Sequence, residues 1–238
     1  MGNLKSLATS WMRRVHPRLM SFIATVGLFW LGVCFLILLG LSKLSEEVLE
    51  QEAFAFDESI LLWVHQFANP TLNRLMLAIT ELGNPSTVVP LACNGFAWLC
   101  LRRYWETAVL FAVTCAGGAI LSTGLKLVFS KVRPALWPQL ITETTYSFPS
   151  GHALGSMVLY GLLAYLVAHR YPKVSGLVYG AAAMLIGAIG LSRLYLGMHW
   201  PTDVLAGYAV GFLWLTVCTA LIELRFIVNP QSGQISLR

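Results

Sequence analysis

The stretch SRLYLGMHWPTD, residues 192–203, decides how this chain reads. It joins two long apolar runs, yet it carries Arg193, His199 and Asp203. An Arg at the centre of a bilayer helix costs about 2.5–3.5 kcal/mol on insertion scales, so a membrane chain that keeps such groups together uses them. His199 and Asp203 stand four residues apart. On a helix that spacing puts both on one face, where the carboxylate can accept a hydrogen bond from one ring nitrogen. The other nitrogen is left free, the arrangement of an activated nucleophile or a base. Two clusters precede this stretch: Lys126 with Arg133-Pro134, and Pro149-Ser150-Gly151-His152. Read together, the three form one site at one membrane face, and that site handles phosphate.

Composition sets the class. Of 238 residues 57% are hydrophobic and only 11% charged, where a soluble domain carries about 25% charge. Mean hydropathy is +0.69. The chain therefore reads as one all-α, membrane-embedded domain over residues 1–238. A net charge of +5 gives no sign of nucleic-acid binding. Cys34, Cys93, Cys100, Cys115 and Cys218 all sit in apolar runs without CxxC spacing. They read as small core residues rather than disulfides or zinc ligands.

Outward from the three clusters, apolar length predicts six transmembrane helices, at about 20–41, 85–101, 105–129, 151–167, 174–191 and 201–222. The first follows a basic stretch and lacks the short apolar region and cleavage site of a signal peptide. Residues 1–6 also fit the short N-myristoylation pattern, a weak signal in a chain that helices already anchor. Residues 45–67 mix Glu46, Glu47, Glu50, Glu52, Asp57 and Glu58 with Leu, Phe and Trp63. They read as one or two amphipathic surface helices between the first two spans, or as a solvated connector. Residues 69–84 extend that layer. Gly176-xxx-Gly180 and Gly207-xxx-Gly211 have the spacing that lets helix backbones approach closely.

Basic residues orient the spans. With six spans, Lys5, Arg13, Arg14, Arg18, Arg102, Arg103, Arg170, Lys173, Arg225 and Arg238 share the side of both termini, which is therefore cytoplasmic. Most of the acids fall on the other side. Lys126, Arg133 and Arg193 break the trend there, as a functional site would, so the site faces away from the cytoplasm.

Each cluster has a chemistry. Lys126 and Arg133 are seven residues apart, about two helical turns. Pro134 disfavours helix at Arg133, so Arg133 either continues that face or folds back from the following loop. Arg suits bidentate contact with phosphate oxygens, and Lys supplies a point charge. Snorkelling to the headgroup layer is the competing reading for Lys126, and the one adopted for Lys131. Ser150 opens a helix whose free N–H groups and dipole attract anions. Gly151 allows close approach, and His152 in the first turn is placed to protonate a leaving oxygen. Trp137, Tyr146, Tyr195 and Trp200 read as interfacial anchors.

Lys126-x6-Arg133-Pro134, Pro149-Ser150-Gly151-His152 and Ser192-Arg193-x5-His199-x3-Asp203 together resemble the three-part signature of the type-2 phosphatidic acid phosphatase superfamily. These are integral-membrane lipid phosphate phosphatases. The resemblance spans residues 126–203 and fits the six-span layout of bacterial members. It implies that His199 is a nucleophile forming a phosphohistidine, that Asp203 orients it, and that His152 is the general acid. It implies a phosphate-binding set of Lys126, Arg133, Ser150, Gly151 and Arg193, with no metal and no cofactor. One carboxylate among many cations is also a poor Mg²⁺ site. The resemblance further implies a bacterial cytoplasmic membrane, membrane lipids as partners, and a substrate such as undecaprenyl pyrophosphate, phosphatidic acid or phosphatidylglycerophosphate. The alternatives are a lipid phosphotransferase using the same residues and, more distantly, a small transporter. The sequence says nothing about oligomeric state.

Overall fold

The computed structural model describes residues 16–49 and 55–228. The expectations on residues 1–15, on 50–54 of the acidic layer and on residues 229–238 lie outside it. The described residues contain no strand. Eight α-helices follow one another among them: α1 (His16–Leu49), α2 (Ala55–His65), α3 (Pro70–Glu81), α4 (Pro85–Leu101), α5 (Trp105–Phe129), α6 (Gly151–Arg170), α7 (Ser175–Tyr195) and α8 (Pro201–Val228). A 3-10 turn, Pro172–Val174, joins α6 to α7.

The boundaries follow local chemistry. Asn69 caps α3 by accepting the Leu72 N–H at 2.9 Å, with Pro70 in the first turn, where its missing N–H costs nothing. Ser150 caps α6 in the same way through the Ala153 N–H, though at 3.5 Å. Helix α5 stops at Ser130, which adopts a left-handed conformation with φ 46°. The linker then runs without regular structure to Ser150. Helix α1 is bent at Gly27, whose φ of 69° falls outside the helical range.

Among the described residues four helical segments are long and apolar enough to cross a membrane: Trp105–Phe129, Gly151–Arg170, Pro172–Tyr195 and Pro201–Leu221. Their outward faces show Ile120, Leu127, Leu177, Met184, Leu205 and Leu221 to the surroundings, which suits hydrocarbon and not water. The expected span at 20–41 lies within α1, and the one at 85–101 is α4, with 17 residues.

Helix α6 is the most buried of the four, at the centre of the bundle. Leu159, Leu162 and Leu166 on α6 meet Leu99 of α4, Phe111 of α5 and Cys218 of α8 in one core. On the α8 side the approach is close. A Cβ on Gly207 would lie 2.6 Å from the Ser150 carbonyl oxygen, and one on Gly211 3.0 Å from that of Leu154. The spacing expectation thus holds for this pair. Around Gly176 and Gly180 the space is open, so there the motif packs nothing. Among the cysteines, Cys218 is buried as expected, but Cys93 is exposed.

Helices α2 and α3 pack against α7 and the turn before α8, through Val64, Met76, Tyr195, Leu196 and Met198. The C-terminal end of α1 joins the same end of the bundle, where Val48 packs with Phe148 and Ala206. The antiparallel succession of α5, α6, α7 and α8 brings the end of α5, the start of α6, the end of α7 and the start of α8 together there.

Candidate active site

All the singled-out residues meet at that end. His199 lies in the five-residue turn between α7 and α8, only 1% exposed. Its Nδ1 is 3.3 Å from Ser147 Oγ and 3.6 Å from Asp203 Oδ2. The second distance is beyond hydrogen-bond reach. Ser147 fills the gap by donating to Asp203 Oδ2 at 2.5 Å. Arg133 Nη1 stands 3.2 Å from the other nitrogen, Nε2. A guanidinium can only donate, so Nε2 is the unprotonated acceptor and Nδ1 carries the hydrogen. Burial pushes the ring down to about 4, although Asp203 pulls the other way, so His199 is neutral at neutral pH.

Asp203 sits in the first turn of α8 and is fully buried. Besides Ser147 it accepts the Trp200 N–H at 2.9 Å and Lys131 Nζ at 2.8 Å. Lys131 also donates to Thr202 Oγ1 at 3.1 Å. The expectation that Lys131 snorkels to the headgroups is therefore corrected. The buried carboxylate draws the ammonium inward, because an unpaired ion there costs several kcal/mol.

The cations meet on the linker. Helix α5 ends before Arg133, which folds back from the loop instead of continuing the helical face of Lys126. Lys126 Nζ and Arg133 Nη2 share the Thr145 hydroxyl at 3.1 and 3.2 Å, and the Tyr146 carbonyl at 2.6 and 3.3 Å. Arg193, the largest fully buried side chain, donates to Thr80 Oγ1 at 2.9 Å and to Glu143. Its Nε–H is buried without a partner among the described residues. Glu143 takes Arg133 on its other oxygen, at 2.7 Å. Burial by itself would raise the Glu143 carboxyl, but Arg193 and then Arg133 outweigh it and hold the group at about 2.

Ser150 N–H donates to the Asp203 carbonyl at 3.0 Å, tying the starts of α6 and α8 together. Gly151 and His152 line a cavity of about 650 Å³ together with Lys126, Glu143, Arg193 and His199. Their first-turn N–H groups are ones that no intrahelical bond can satisfy. From this polar end the cavity continues between α4, α5 and α6, past Val89, Ala92, Ala119, Gly155 and Leu159. Ser192 points elsewhere, its hydroxyl donating to the Ile189 carbonyl of its own helix at 2.6 Å. Trp137 stacks on His65 at 4.0 Å between ring centres, so it props the linker as well as lying near the surface.

The sequence model of the PAP2 superfamily matches residues 106–227, a little over half of the chain. The chain belongs to the PAP2 superfamily. Within it, phosphatidylglycerophosphatase B of Bacillus subtilis is 34% identical over 161 residues, covering 66% of this chain and 78% of the relative. An undecaprenyl-diphosphatase of Sulfolobus acidocaldarius is 26% identical over 200 residues, covering 82% and 92%. The crystal structure of a transmembrane PAP2-type phosphatidylglycerolphosphate phosphatase from Bacillus subtilis superimposes with a TM-score of 0.72 at 29% identity. That match covers 80% of this chain and 96% of the other. The matched region starts after α1–α4, so Asp57 and Thr80 are contributed from outside it.

Glu143, Ser147, Lys131, Thr80 and Asp57 are the site-end residues that the sequence reading missed. For Glu143 a signal existed: it is an acid set in a linker between clusters of cations. Nothing in the sequence distinguishes Ser147 from other loop serines.

Proposed function

We propose that this member of the lipid phosphatase class hydrolyses a membrane lipid phosphate or pyrophosphate through a phosphohistidine on His199. One observation carries the reading. His199 Nε2 faces Arg133 Nη1 and lines one cavity with Lys126, Arg193 and the first turn of α6, while Nδ1 is backed by Ser147 and Asp203. That is the geometry of an oriented nucleophile facing an anion site.

Lys126, Arg133, Arg193 and the first-turn N–H groups of Gly151 and His152 bind the phosphoryl oxygens. Arg193 Nε, without a partner among the described residues, supplies one donor. Arg133 leaves Nε2 for a phosphoryl oxygen as the substrate enters. His199 Nε2 then attacks phosphorus in line. The P–O bond to the lipid breaks, and the departing oxygen takes a proton from His152. Water next attacks the phosphohistidine and gives a proton to His152. The P–N bond breaks and inorganic phosphate leaves. The surrounding cations stabilise the charge, and of the two carboxylates lining the cavity Glu143 already holds two arginines while Glu81 accepts from Asn84 and Ser86. Such a donor set does not favour Mg²⁺.

The apolar extension of the cavity between α4, α5 and α6 suits an acyl or prenyl tail, with the phosphate at its polar mouth. Helices α1 and α4 complete six spans. The termini lie in the cytoplasm, the site on the opposite face of a cytoplasmic membrane, and α2 and α3 cover it at the surface. Undecaprenyl pyrophosphate, phosphatidic acid and phosphatidylglycerophosphate are the substrates to try first.

The test is phosphate release from those three lipids by detergent-purified protein in excess EDTA, with His199→Ala as control. Release that the variant loses supports the reading. Release that survives His199→Ala sinks the nucleophile assignment, and release only with added metal sinks the metal-independent mechanism.

A further inference from the structure

Asp57 lies on α2, 49 residues before the stretch matched by the PAP2 sequence model. The sequence places it in an amphipathic surface layer or a solvated connector, yet it is only 3% exposed. Both of its oxygens are spent on one residue. Oδ1 accepts the Thr202 N–H at 3.0 Å, and Oδ2 accepts the Thr202 hydroxyl at 2.6 Å. Thr202 is the second residue of α8. The residue before that helix, Trp200, has no side-chain acceptor, and Pro201 has no N–H. Asp57 therefore caps α8 from another helix, where a carboxylate also complements the helix dipole.

The contact does not stop at Thr202. The Thr202 hydroxyl receives Lys131 Nζ at 3.1 Å, and the same ammonium holds Asp203 Oδ1 at 2.8 Å. The other oxygen of Asp203 holds Ser147, which stands against His199 Nδ1. A continuous chain of polar contacts, buried except at the partly exposed Lys131, thus runs from Asp57 through Thr202, Lys131, Asp203 and Ser147 to His199. Two buried carboxylates, one held by Thr202 and one by Lys131, with the lysine also bonded to the threonine, make a costly arrangement for a plain structural tie, which apolar packing could supply.

We infer that Asp57 is a positioning residue for the reaction, holding the first turn of α8 and Lys131 so that Asp203 and Ser147 keep His199 in its attacking orientation. The inference rests on the phosphatase reading of the site. Asp57 touches none of the residues assigned to phosphate, so its loss should leave phosphate binding intact and slow the chemistry.

The experiment uses full-length protein in detergent and the variants Asp57→Ala, Asp57→Asn and Thr202→Val. Calorimetric titration with orthophosphate gives the affinity and the number of competent sites per chain. Turnover is then expressed per competent site, which removes the contribution of misfolded protein. The expected result for Asp57→Ala is an orthophosphate affinity within about twofold of the original and a turnover per site lower by about tenfold or more, the scale known for groups that orient metal-bound histidines. Asp57→Asn keeps an acceptor for the Thr202 N–H but not the charge, and should fall between. Thr202→Val keeps the backbone cap and cuts the hydroxyl route to Lys131, and should also lose turnover per site. If Asp57→Ala, or Thr202→Val where the former does not fold, keeps turnover per site within twofold while competent sites decline, Asp57 is only a structural tie and the inference is overturned. Absence of both orthophosphate binding and hydrolysis in the unaltered protein would instead overturn the phosphatase reading, and the inference with it.

Discussion

Ser147 Oγ donates to Asp203 Oδ2 at 2.5 Å, and that bond makes the serine the direct neighbour of the candidate nucleophile. Asp203 itself stays 3.6 Å from His199 Nδ1, beyond hydrogen-bond reach, whereas Ser147 Oγ is 3.3 Å away. The serine oxygen is thus the acceptor that holds the Nδ1 hydrogen, and Asp203 acts through it. Removing the hydroxyl frees the imidazole to turn and leaves Asp203 one donor short. Ser147→Ala is expected to lower kcat by about 10- to 100-fold with little change in KM, because the phosphate ligands are untouched. Steady-state kinetics on a lipid substrate checks this. Unchanged kcat would show that Asp203 orients His199 unaided.

Glu143 binds two arginines at once, and its acid chemistry gives a second prediction. Its carboxyl sits at about 2 in the fold against an ordinary 4.5. A depressed acid contributes stability that is full above its unfolded value and fades as pH falls through the folded one. The share from Glu143 is therefore complete above about pH 4.5 and is lost toward about pH 2. His199, depressed from 6.5 to about 4, adds a separate loss: below about pH 6.5 the unfolded chain takes up a proton that the folded ring refuses. Glu143→Gln removes only the first share. It should destabilise the protein at pH 7 by on the order of 2 kcal/mol, less than for a fully buried pair because the carboxylate is a quarter exposed. Unfolding temperatures of the two proteins in detergent should converge as pH falls below about 4.5. A gap independent of pH would remove the carboxylate's charge from the account. Added orthophosphate should raise the unfolding temperature of Glu143→Gln more than that of the original, since it can take the carboxylate's place between the arginines.

Gly207 gives the third. A Cβ there meets the Ser150 backbone oxygen at 2.6 Å, and backbone cannot yield as a flexible side-chain end can. Gly207→Ala should part α6 from α8 beside the Ser150–Asp203 bond, costing about 1–3 kcal/mol by overpacking and lowering activity together with stability. Gly176→Ala, at a position with open space, should be neutral or stabilising by about 0.5–1 kcal/mol, the helix advantage of Ala over Gly. Equal effects of the two changes would mean that close packing at α6–α8 is not what Gly207 serves.

The sequence by itself determined the class, most of the helices and which residues to single out as candidates. Apolar runs near the length of a bilayer dictated helices, because an unpaired backbone group in hydrocarbon costs several kcal/mol. Arg193, His199 and Asp203 announced themselves because charge in such a chain is expensive to keep. The α5–α8 boundaries were legible for the same reason, helped by Ser150 and Pro201. The tertiary structure decided what each polar group bonds to. Lys131 turned inward to Asp203, Arg133 folded back to His199, and Glu143 closed on two arginines across the linker. Asp57 crossed 145 residues to cap α8. Such pairings depend on which helix ends meet, and Asp57 shows no periodicity or spacing that sets it apart from the acids around it. An acidic layer and a buried cap look alike in sequence. They differ only in whether a helix end lies near enough to satisfy the charge, and packing alone sets that distance.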